Sequence, residues 1–170
     1  MNDLYKKSLW QQFGAAIDTL DTAINACPEA LWNKPVWPPD IQGISDFWYL
    51  AYHTLFWLDF YLSGGSEDFA PPAPFTLSEF DPAGLLPDRV YTKGELQHYL
   101  QYCRQKCFEQ IHMLTDVSAN RLCLSGKREK SYFEVLLYNM RHVQEHTAQL
   151  NLLLGQKGVP VVDWVSRAKE

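Results

Sequence analysis

The sequence predicts an all-α protein: a four-helix bundle with a long crossover connection between its second and third long helices. Three observations carry this. Four long stretches place apolar residues at helical spacing, and no stretch alternates in the manner of a strand. A proline- and glycine-rich run from Gly64 to Tyr91 also exceeds the roughly 2 to 8 residues that usually join neighbouring bundle helices. With 170 residues, 46% of them hydrophobic, residues 1–170 are read as one domain with a sizeable core.

The first helix spans Leu4 to Ala26 and carries Leu9, Phe13, Ala16, Ile17, Leu20 and Ile24 along one face. Pro28 to Trp32 forms a short helical turn. Pro35, Pro38 and Pro39 then bar regular helix between Asn33 and Gly43, because each removes a donor and restricts its predecessor. The second helix follows, with Ser45 as its expected cap, and ends at Leu62. The third starts at Thr92-Lys-Gly-Glu95, a capping box in which each end satisfies the other's free amide. Its stripe of Leu96, Leu100, Cys103, Cys107, Ile111 and Leu114 carries it to about Leu114. The fourth starts at a similar box, Ser131-Tyr-Phe-Glu134, and runs to Leu154, where Gly155 is expected to supply a left-handed cap. The final segment, Gly158 to Glu170, contains Pro160, Val161, Val162, Trp164 and Val165 and is expected to pack against the bundle.

Composition removes several function classes. Lys plus Arg number 15 against 20 Asp plus Glu, and a net charge of -5 argues against a nucleic-acid partner. The most apolar segment, Ile44 to Leu62, is interrupted by Asp46, His53 and Asp59, so no membrane partner is expected. Met1 to Phe13 lacks the pattern of a secretory signal, which places the protein in the cytoplasm. Cys27, Cys103, Cys107 and Cys123 form no CxxC pair and read as reduced thiols.

The chemistry-bearing residues are histidines. His142 and His146 lie four apart on the fourth helix, about 40° around its axis and about 6 Å along it, so both imidazoles can share one metal. The residues between them, Val143, Gln144 and Glu145, lack the HExxH arrangement, which excludes a zincin-type peptidase. His53 sits inside Phe47-Trp-Tyr-Leu-Ala-Tyr-His-Thr-Leu-Phe-Trp-Leu58 and needs a partner there, as a satisfied core histidine or as a metal ligand. The His53 face also carries Tyr49 and Trp57. The His142/His146 face carries Tyr138, Asn139 and Gln149, which suits either a polar cavity or an exposed surface.

Two decoys fall away. His98, Cys103, Cys107 and His112 look like a zinc quartet, but helical geometry puts the thiols at about 140° and 180° and His112 at about 320° from His98, on opposite sides. The run Lys127-Arg-Glu-Lys130 can hold an anion at a helix start but reads best as a solvated loop. No phosphate loop, GxSxG elbow or Cys with a placed base is visible, so any chemistry runs through a metal.

Three segments together resemble the DinB superfamily: Tyr52-His-Thr-Leu-Phe-Trp-Leu58, Arg141-His-Val-Gln-Glu-His-Thr-Ala-Gln-Leu150 and Cys27-Pro-Glu-Ala-Leu-Trp32. That group of small helical proteins includes bacillithiol transferases and is similar to mycothiol-dependent maleylpyruvate isomerases. The resemblance spans nearly the whole chain. It implies that His53, His142 and His146 bind a divalent transition metal, zinc or nickel suiting nitrogen donors better than magnesium or calcium. Tyr49, Trp57, Tyr138, Asn139 and Gln149 become candidate substrate-pocket residues. The implied activity on a small-molecule substrate is metal-dependent transfer of a low-molecular-weight thiol to an electrophile, or hydrolysis. A metal-held thiolate or water would then be the nucleophile, and no side chain is assigned a catalytic role. A homodimer is implied by the resemblance alone. The rival is a non-enzymatic stress or binding protein in which an ion only ties helix two to helix four, and solvent access to the metal separates the two. The family's association with DNA damage suggests a nucleic-acid binder, which the negative charge opposes.

Overall fold

Side chains that satisfy free backbone amides mark the starts of three of the four long helices, the second being the exception. The computed structural model describes residues 1–37, 44–125, 128–160 and 163–169. Helix α1 (Asp3–Ala26) starts where Asn2 Oδ1 accepts from the Leu4 N–H at 2.8 Å. A single turn, α2 (Glu29–Trp32), follows Pro28. Helix α3 (Phe47–Leu62) is capped by Asp46 and not by Ser45. Ser45 is taken up in a short extended bridge, where its carbonyl accepts from Val36 N–H at 2.7 Å and Pro35 pairs with Asp46. Helix α4 (Lys93–His112) opens with the complete Thr92/Glu95 box and stops slightly short of Leu114. A further turn, α5 (Asp116–Asn120), has a box of its own from Thr115 and Ser118, which the sequence reading did not anticipate. Helix α6 (Tyr132–Gln156) starts where the Ser131 hydroxyl accepts from Glu134 N–H at 3.2 Å.

The end of α6 corrects the expectation at Gly155, which stays helical. The left-handed residue is Gly158, with φ 74°. Its N–H donates to Gly155 O at 3.1 Å while Val159 N–H donates to Leu154 O at 3.0 Å, the paired bonds of a Schellman motif. That motif is often accompanied by an apolar residue just after its glycine. Val159 packs back on the core, whereas Gly155 is followed by Gln156. Helix α3 closes the same way, with Gly64 at φ 72° and Gly65 N–H donating to Phe60 O at 3.1 Å.

Four long helices form a closed ring in which α1 and α3 each pack against both α4 and α6. Phe13, Ile17 and Leu20 of α1 meet Leu55 and Leu58 of α3, Leu96 and Leu100 of α4, and Leu136, Val143 and Leu150 of α6 in one core. Burying each such side chain contributes about 1.5–3 kcal/mol. The exception to the all-α expectation is a small hairpin, β1 (Leu122–Ser125) against β2 (Arg128–Ser131), antiparallel with Cys123 opposite Lys130. Four residues a side are too few for alternation to stand out. Arg128 to Lys130 thus lie in a strand rather than a loop, and Lys127 falls outside the described residues. No described helix is long and apolar enough to cross a membrane.

The connection from α3 to α4 folds onto the bundle. Phe69 and Phe75 are buried, and Phe75 stacks on Tyr99 with centroids 4.4 Å apart. The Tyr52 hydroxyl donates to Thr76 O at 3.0 Å, just before a 3-10 turn at Ser78–Phe80. The C-terminal segment also docks, chiefly through backbone hydrogen bonds among the described residues, with Val165 and Ala168 half-buried. Ala168 N–H donates to Gln11 O at 2.9 Å and Lys169 N–H to Asp18 Oδ2 at 2.6 Å, while Arg104 holds Lys169 O at 2.6 Å. Gly14 makes this approach possible, since a Cβ there would lie 2.5 Å from that of Ala168. Trp164 stays 79% exposed, and Val161 and Val162 lie outside the described residues.

Candidate metal centre

His53 is in the middle of α3, and His142 and His146 occupy successive turns of α6, the helix packed beside it. One ring nitrogen from each lies within 4.8 Å of the other two. The Nε2 atoms of His142 and His146 are 3.1 Å apart, a span that two nitrogens on one ion at about 2.1 Å can make. His146 Nδ1 contacts Gln149 Oε1 at 2.7 Å. An amide oxygen only accepts, so Nδ1 carries the proton and Nε2 offers a lone pair. His142 is the most constrained ring. Its Nδ1 is buried without a hydrogen-bond partner among the described residues. Burial, with His146 and His53 nearby, pushes its imidazole down to about 3, and burial lowers His146 as well. Two neutral rings facing each other through Nε2, with a His53 nitrogen within 4.8 Å, offer three nitrogen donors that one cation could share. This donor set suits zinc or nickel.

The three rings lie at a cavity of about 450 Å³ that also takes in Trp37, Ile44, Leu50, Tyr61 and Glu79. Among the sequence-predicted pocket residues, Tyr49, Trp57 and Tyr138 line it. Gln149 does not line it and acts on the site through His146. Asn139 is displaced from the pocket altogether: it is fully buried between α6 and α3, where its Nδ2 donates to Leu58 O at 3.0 Å. Its angle on α6 lies next to the His142 stripe, but that edge faces the α3 backbone.

Sequence reading missed Glu79, Tyr61, Trp37, Ile44 and Leu50. Tyr61 has a signal, lying one further helical turn along the Tyr49, His53, Trp57 stripe. Glu79 has none, because it sits on the 3-10 turn of an irregular connection. Its Oε2 lies 2.7 Å from His53 Nδ1 and accepts from Trp57 Nε1 at 2.8 Å. Burial alone would raise this carboxyl, but hydrogen bonds from His53, Tyr49 and Trp57 hold it below the ordinary carboxylate value. Burial, then Glu79, push the Tyr49 hydroxyl up, so it remains a phenol at neutral pH.

The other candidates separate as helical geometry required. Cys103 and Cys107 are buried in the core, whereas His98 and His112 are exposed. Among the described residues, only His53, His142 and His146 come together as a group able to hold a metal ion.

A family model described as the DinB superfamily matches residues 12–150. The chain belongs to the DinB superfamily. All three histidines of this DinB chain, and Glu79, fall inside the matched span. Comparison with curated proteins gave no match, and neither did comparison with solved structures.

Proposed function

We propose that this DinB chain is a metal-dependent enzyme acting on a small, largely apolar molecule. The observation that carries this is three convergent imidazoles at an open cavity of about 450 Å³, with five aromatic residues, Trp37, Tyr49, Trp57, Tyr61 and Tyr138, in its lining. A metal kept for structure alone is usually closed by four protein ligands. Here three donors converge among the described residues, and the room beside them suits a guest.

His53, His142 and His146 would hold the ion. When bound, a divalent metal supplies a Lewis acid that makes water or a thiol nucleophilic at neutral pH. The chain's own groups orient and shield the reactants. Gln149 fixes the proton of His146 on Nδ1, and the aromatic lining receives an apolar substrate. Tyr49, kept a phenol by burial and by Glu79, presents a polar edge within the aromatic lining. In the thiol-transfer form, a sulfur–carbon bond replaces the bond to the leaving group, which departs with the electron pair while the thiol proton goes to solvent. In the hydrolytic form, water takes the thiol's place.

Metal content of untagged protein tests the site: about one zinc or nickel per chain in wild type, and loss in His142→Ala. Equal content in both would remove it. Reconstituted protein is then offered an aryl chloride bearing nitro groups with several low-molecular-weight thiols, and separately an aryl ester without thiol. Acceleration in the first assay assigns S-transfer and in the second hydrolysis; neither would favour the binding-protein reading.

A further inference from the structure

We propose that Glu79 is a positioning residue of the metal centre, committing His53 Nε2 to the ion by accepting the Nδ1 proton, so that the α3–α4 connection is a working part of the site. This rests on the metal-binding reading above.

The geometry is specific. Glu79 Oε2 is 2.7 Å from His53 Nδ1 and 2.8 Å from Trp57 Nε1, so donors one helical turn apart on α3 grip one oxygen. An ionised carboxylate has no proton to give, so Nδ1 must carry it. The ring's remaining lone pair is then on Nε2, free to serve as a ligand. The Glu79 side chain is only 4% exposed. Among the described residues, no Lys or Arg lies within ion-pair distance of it. Its other oxygen, Oε1, is buried without a hydrogen-bond partner there. A buried carboxylate held this way lacks compensating positive charge. An ion held by His53, His142 and His146 would supply it through the ring, as in carboxylate–histidine–metal relays.

The turn that presents Glu79 is anchored independently of it. The Tyr52 hydroxyl bonds Thr76 O at 3.0 Å and reaches Ser78 Oγ at 3.2 Å. Phe80 packs on Phe56 and Phe60, each with centroids 5.0 Å away. Replacing Glu79 therefore leaves the connection docked, which lets its effect on His53 be read separately from folding.

The test compares wild type, Glu79→Gln, Glu79→Ala and His142→Ala as full-length chains. Zinc affinity is measured by competition with a chromophoric chelator, and the His53 tautomer of metal-free protein by nitrogen-15 NMR. Wild type should show His53 protonated at Nδ1, and Glu79→Ala should shift it toward the Nε2 tautomer. Zinc affinity should fall about 10- to 100-fold in Glu79→Ala. Glu79→Gln, which keeps an accepting oxygen but no charge, should retain the tautomer and fall in between. Unchanged affinity in Glu79→Ala, with binding lost in His142→Ala, would overturn the inference and leave the metal site standing. So would an unchanged tautomer in Glu79→Ala. Equal zinc binding by wild type and His142→Ala would instead sink the metal reading, and this inference with it.

Discussion

His142 stays neutral in the folded chain because burial and its two neighbouring histidines push it down to about 3 from an ordinary 6.5. The unfolded chain therefore takes up a proton there first, and stability rises with pH across that interval. Metal-free protein should keep this contribution at neutral pH and lose it progressively as pH falls from about 6.5 toward 3. Urea midpoints measured at intervals through that window check it, and the decline should be shallower in His142→Leu. An equally steep decline in the variant would assign the loss to other groups. Glu79, held below 4.5, adds its own loss at the acid end. The residues that sequence spacing makes neighbours, His142 and His146, could be read directly. Asn139 shows the limit of that reading. An angle on a helix names a side but not what faces it, and here the α3 backbone takes the amide that an open pocket would otherwise have received.

Among the elements, the two helix starts marked by Thr92 and Ser131 were legible, whereas the start of α3 and the end of α6 were not. A cap at the start is a side chain with an oxygen three residues from its target, as Thr92 and Ser131 show. An end depends on where the chain can turn back to bury an apolar residue, and Val159 decided between two glycines. This separates two substitutions only three residues apart. Gly158→Ala should cost about 1–2 kcal/mol, since an alanine must adopt a left-handed backbone. Gly155→Ala, on the exposed side of a continuing helix, should stabilise by about 0.5–1 kcal/mol. Thermal or urea unfolding of both variants checks the pair; equal effects would contradict the Schellman end. The hairpin and α5 escaped notice because neither is long enough to show a period.

For the whole molecule, the four-helix core could be anticipated from apolar spacing and the His142/His146 pair from helical angles, whereas His53 joined them as a ligand only through the family resemblance. The connection that delivers Glu79, 26 residues beyond His53, follows no period, since prolines and glycines fix its path. The docked C-terminal segment was legible only as a tendency to pack, because its bonds are made by backbone atoms that every residue carries. Its backbone bonds go to α1 and α4, and Trp164 sits beside Met140, Arg141 and Gln144 on the side of α6 away from the cavity, whereas the three imidazoles meet between α3 and α6. Deleting residues 163–170 should therefore lower the thermal midpoint while zinc stoichiometry stays at about one per chain. Loss of zinc at a temperature where the truncated chain is still folded would show that the two ends of this network are coupled.

The four cysteines are all free, and all are buried. Burial pushes the Cys27 thiol up to about 11 and those of Cys103 and Cys107 well above their ordinary value, so these sulfurs stay protonated and sheathed in hydrocarbon. Under the proposed S-transfer function, the protein would risk being alkylated by its own substrate. This chain keeps its native nucleophilic sulfur out of reach, so the folded protein should ignore iodoacetamide at concentrations that label all its thiols once it is unfolded.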